Sequence, residues 1–81
     1  MLISSTVDEK RLRRKLAELY RHKYALEKIL EEIKNLEMKY ANDAPVLEML
    51  VKLEMMLHQQ LEKVIYGIQV QGAKARQMGI V

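Results

Sequence analysis

Apolar residues recur along the first half of the chain with alternating steps of four and three. Leu12, Leu16, Leu19, Leu26, Leu30, Ile33 and Tyr40 mark the seam, and Lys23 and Glu37 take its two remaining slots. This is the heptad spacing of a helix that packs lengthwise against another helix. Ile29 and Leu36 widen the stripe to one side. Ser5 and Thr6 precede it, and Thr6 with Glu9 three residues later reads as a capping box, with Asp8 and Glu9 favoured at the positive helix end. The spacing predicts helix one over about 6–41, roughly 50 Å long at 1.5 Å per residue.

Asn42-Asp43-Ala44-Pro45 interrupts the pattern. Proline disfavours helical geometry at Ala44 but suits the first turn of a new helix, where Asp43 or Asn42 can cap free amides. So short a connection makes the two helices antiparallel neighbours. The second seam runs Leu47, Leu50, Glu54, Leu57, Leu61, Val64 and Ile68, then weakens to Gln71, Ala75 and Met78. Gly67 and Gly72 each cost a helix interior about 1 kcal/mol relative to Ala. The expectation is a hinge over 42–45, helix two over about 45–72, and a tail, 73–81, that frays unless a partner orders it.

One face of a helix satisfies one neighbour, yet helix two is apolar almost all the way round. Nine of the twelve residues from Val46 to Leu57 are apolar, and the seam uses only some of them. Met49, Val51, Leu53, Met55 and Met56 are left over, with Met38 near the hinge on helix one. Each would contribute roughly 1.5–3 kcal/mol if buried, a large amount beside the stability of a small domain. These six residues are therefore the expected protein interface. Two hairpins pairing into a dimeric four-helix bundle is the simplest arrangement that covers them. Flexible thioethers also suit a surface that accepts a foreign helix. The polar seam residues Lys23, Glu37 and Glu54 suit a register-setting role, or a seam lined by their stems with the charges in water. Antiparallel packing brings Lys23 level with residues 61–63, within range of Glu62.

Composition narrows the class. With 81 residues, no cysteine, one proline, three glycines and neither Phe nor Trp, the chain reads as one small all-α domain without disulfides. No signal peptide and no run of roughly 20 apolar residues is apparent, so a cytoplasmic protein with no membrane span is expected. The net charge of +3 is unevenly spread. Lys10 to Lys23 holds seven bases against Glu18 alone, and the segment after Tyr66 adds Lys74 and Arg76 without an acid. The hairpin becomes a rod with a basic open end. Lys10, Arg11, Arg14, Arg21 and Lys28 are the candidate contacts to nucleic-acid phosphates or to an acidic partner.

Catalytic parts are sparse. Apart from tyrosine, the hydroxyl side chains are Ser4, Ser5 and Thr6, near the N-terminus, and there is no thiol nucleophile. Glu54, His58 and Glu62 lie four apart, as do Glu18 and His22, but the Glu-x-x-His pair of helical dinuclear metal sites is missing. Neither a metal nor another cofactor is expected. Glu32-Ile33-Lys34-Asn35 followed by Asn42-Asp43 resembles a stretch of the all-helical chorismate mutases, which would make Lys34 and Asp43 active-site residues. That family's arginines fall here on Thr6, Lys23 and Val46, and its third helix has no counterpart, so a non-enzymatic chain is expected.

The expected function is a helical assembly or adaptor module, acting by self-association or on a helical partner. One alternative is a nucleic-acid-binding hairpin that uses the basic segment 10–23. Another is a small secretion-apparatus component, since the length, the proline-containing hinge and the apolar tail resemble type III needle subunits and their hairpin co-chaperones.

Overall fold

The computed structural model describes residues 2–79. Two helices, α1 (Leu2–Lys39) and α2 (Ala44–Gln77), make up nearly all of it. They pack against each other along a rod of 62 × 15 × 14 Å. The radius of gyration is 18.0 Å, against about 12 Å for a globule of this length. The all-α hairpin expected from the two seams is what forms.

The seams emerge as expected up to Glu37 on α1 and Ala75 on α2, while Tyr40 and Met78 lie beyond the helix ends and are exposed. On α1 the buried and half-buried positions are Glu9, Leu12, Leu16, Leu19, Lys23, Leu26, Leu30, Ile33 and Glu37, in unbroken steps of three and four. On α2, Leu47, Leu50, Glu54, Leu57, Leu61, Val64, Ile68, Gln71 and Ala75 face them. The core is thin. Among the described residues the buried apolar side chains are Leu12, Leu30, Ile33, Leu50 and Ala75, and no large side chain is wholly buried. Two helices can exclude water from the line between them but not from its two flanks.

The hinge lies two residues earlier than expected, over 40–43, because α1 stops at Lys39 rather than near Ala41. The Asp43 N–H donates to the Tyr40 carbonyl at 3.0 Å, closing the turn. Tyr40 therefore leaves the seam and lies exposed, with the Lys39 ammonium 5.6 Å from its ring centroid. Asp43 is the N-cap of α2. Its backbone is extended (φ −108°, ψ 91°) and its carboxylate accepts the Val46 N–H at 3.4 Å. The helix begins at Ala44, one residue before the proline, so Pro45 sits in the first turn, where its missing N–H costs no hydrogen bond.

Both outer ends correct the sequence expectation. Helix α1 begins at Leu2, so Thr6 is inside the helix and not its cap, and the Thr6 side chain lies outside the described residues. The Glu9 carboxylate accepts from Arg13 at 2.9 Å instead of turning back. Nothing from Leu2 to Thr6 breaks a helix, and extending one costs far less than starting it. At the other end α2 passes through both glycines and runs to Gln77, where fraying was expected. Packing outweighs propensity there. Ala75 is fully buried, Gln71 to Ala73 are half-buried, and a Cβ at Gly67 would meet Leu19 Cδ2 at 3.3 Å. Gly79, at φ 73°, terminates the helix and donates to the Arg76 carbonyl at 3.1 Å. Residues 80–81 of the expected tail lie outside the described residues.

Candidate interaction surface

A residue advances 100° around a helix, so residues two apart point in nearly opposite directions. Val51 and Leu53 flank the seam of α2 on opposite sides by this rule. Met49 and Met56 lie four and three residues from Leu53 and join its flank. Met55 lies four residues from Val51 and joins the other. All five are exposed, from 40% at Val51 to 63% at Met49 and Met56. The interface read from the sequence as one surface is therefore two stripes, one on each side of the hairpin.

Contacts with α1 show which residues continue each stripe. Toward the open end, one groove between the helices is lined by Lys15 of α1 and Lys74 of α2, with Asp8, Arg11, Gln71 and Met78. Lys15 is two and three heptads before Ile29 and Leu36, and Lys74 is three heptads after Leu53. Ile29, Leu36 and Leu53 therefore share that side of the rod, and Met49 and Met56 extend it outward. Ile29 is 46% exposed and Leu36 39%. The opposite groove is lined by Glu27, Lys34 and His58. His58 is one heptad after Val51, so Val51 and Met55 share their side with charged residues of α1. Met38, 78% exposed, is two residues on from Leu36 and turns away from the Ile29–Leu36 side. Sequence reasoning noted Ile29 and Leu36 as a widening of the first stripe but did not place them in the interface. Their heptad phase is the signal that joins them to Leu53.

The hinge half and the open half differ in charge. Residues 24–63 carry five bases and eight acids, a net −3. The rest of the chain carries nine bases and three acids, a net +6. Packing gathers bases of both helices at the open end, with Arg11, Lys15 and Lys74 around one groove. Lys10, Arg11 and Arg14 line a second depression with Val7. Arg14, Arg21 and Lys28, spaced by heptads, form an exposed outward stripe, and Lys28 lies 3.7 Å from Glu31 and 5.5 Å from the Tyr24 ring centroid. Lys23 reaches Glu27 at 3.3 Å, one turn along its own helix, and not Glu62.

Asp43, which the chorismate mutase resemblance would place in an active site, is occupied as the cap of α2. Among the described residues no three His, Asp or Glu side chains come together as a metal site, and no helix is long and apolar enough to cross a membrane. Comparisons with family models, with curated proteins and with solved structures give no match.

Proposed function

We propose that the chain is a non-enzymatic helical assembly module that acts through protein–protein association, with a dimeric four-helix bundle as its working form. One observation carries the reading. After α1 and α2 have packed, Met49, Leu53 and Met56, on one side of the hinge half, remain 46–63% exposed. Side chains of this kind are normally covered, and an exposed cluster of them marks an association surface. The thin core supports the same conclusion, since a two-helix hairpin of 81 residues gains much of its stability from a further layer.

The test is the molar mass by light scattering over a hundredfold concentration range, with circular dichroism alongside. A helical dimer is expected. A helical chain that keeps monomer mass throughout would refute self-association and direct the search to a foreign helix.

A second reading rests on the open end. Bases from both helices converge there around one groove, and a concentrated positive field attracts phosphate backbones. On this reading the affinity for DNA or RNA falls steeply with salt, and Arg11→Glu with Lys15→Glu, both beside the groove, abolishes binding. Affinity unchanged by that pair of substitutions would eliminate it.

A further inference from the structure

We infer that the occupant of the Leu53 side is a second copy of this chain, related by a two-fold axis that crosses the rod near Leu53 and Ile33. The inference rests on the self-association proposed above and specifies its face and its orientation.

The apolar patch is symmetric about its centre. Gly67 packs beside Leu19, and counting back toward the hinge from that level puts Leu53 beside Ile33. Leu36 then lies almost level with Met49, and Ile29 with Met56. The patch is a small rectangle with Leu53 at its centre and two apolar side chains at either end. A two-fold axis across the rod sets Ile29 on Leu36 of the second copy, Met49 on Met56, and Leu53 on itself. A self-complementary patch of this kind is what an isologous contact requires. The Val51 side has no such pattern, because α1 supplies Glu27 and Lys34 there.

The exposed area is large enough for such a contact. The chain exposes 6615 Å², whereas a compact monomer of this mass exposes about 5,000 Å². The difference, about 1,500 Å², is spread along the whole rod, and the hinge half's share of about half is close to the roughly 800 Å² that each partner loses in a stable interface of ordinary size.

Charge then selects the orientation. An axis along the rod would pair the same apolar residues, Leu36 with Met49 and Ile29 with Met56. It would also press one +6 open end against the other, Lys15 and Lys74 of both copies included. An axis across the rod places the two basic ends at opposite poles. It brings the hinge of one copy, with Asp43, level with residues 21–28 of the other, which carry Arg21, Lys23 and Lys28. Glu32 meets its own copy at the outer edge, where water and salt screen the repulsion. The product is a four-helix bundle over the two hinge halves, with a basic two-helix arm projecting from each end.

The experiment combines mass with one distance. The chain has no cysteine, so Lys10→Cys carries a single spin label far from the patch. Dimer mass with a label separation of about 70 Å is expected from the helical rise. Dimer mass with a separation of about 30 Å or less, as an axis along the rod would give, overturns the orientation and leaves the association standing. Monomer mass overturns both. Leu53→Lys should weaken dimerisation at least tenfold with helicity retained, because Leu53 is 46% exposed. Val51→Lys should leave it unchanged. The reverse order would move the interface to the other flank.

Discussion

Gly72 is the position where helix propensity and packing most clearly make opposite demands. If α2 continues to Gln77 against α1, then Gly72 is an interior helical residue, and Gly72→Ala should stabilise the protein. A Cβ there would meet nothing nearer than the Arg76 Nη1 atom at 3.8 Å, an ordinary contact with a flexible side chain. The gain is then the full helix-propensity difference, about 1 kcal/mol. Unfolding entropy of about 2.1 cal/mol/K per residue makes this a rise in Tm of about 6 °C for a chain of this length. Gly67 provides the control. The same propensity gain is available there, but the added methyl would lie 3.3 Å from Leu19 Cδ2 and 3.5 Å from Cδ1. Leu19 must shift by a few tenths of an ångström, so Gly67→Ala should gain less than Gly72→Ala. The assay is thermal unfolding followed by circular dichroism at one chain concentration, because association makes Tm concentration-dependent. A lower Tm for Gly72→Ala would refute a continuous α2. A larger gain at Gly67 than at Gly72 would refute the register that puts Gly67 on Leu19.

Further outcomes test the hinge, the seam and the far end. Asp43→Ala removes the cap on Val46 and should cost about 0.5–1 kcal/mol in thermal or urea unfolding, while Asp43→Asn should recover most of it; equal losses from the two would show that the side chain does not cap. Glu54→Leu should raise stability, because the residue is half-buried in an apolar seam, and should broaden the distribution of assembled species seen by native mass spectrometry. A clear loss of stability would mean that Glu54 has a partner that the hairpin does not supply. Truncation after Gly72 removes the fully buried Ala75 and the Gly79 terminator, so helical dichroism should fall by more than the deleted residues account for. A fall limited to those residues would show that the end of α2 contributes nothing to the fold.

What could be read in the sequence follows from which forces are local. The heptad of α1 survives from Leu12 to Glu37, Lys23 included, because a seam depends only on the spacing of side chains along one helix, and Tyr40 leaves it where the helix ends. The hinge was legible for the same reason, since Asp43 and Pro45 act within four residues of themselves. The far end of α2 was not. Gly67 and Gly72 look like weak helix formers when read singly, yet Gly67 is where a Cβ would press on Leu19 of α1, and Ala75 beyond them is fully buried. The interaction surface was legible in part. Six apolar residues beyond the needs of the seam were evident, but their division into two flanks depends on a rotation of 200° between Val51 and Leu53. Which flank accepts a partner depends on what α1 places beside each. One flank meets Glu27 and Lys34, and a partner there would have to cover charges. The other meets Ile29 and Leu36, which extend the apolar surface across both helices. That asymmetry is why the Leu53 side, and not the more conspicuous pair Met55 and Met56 taken together, is the side on which a second layer of helices can close.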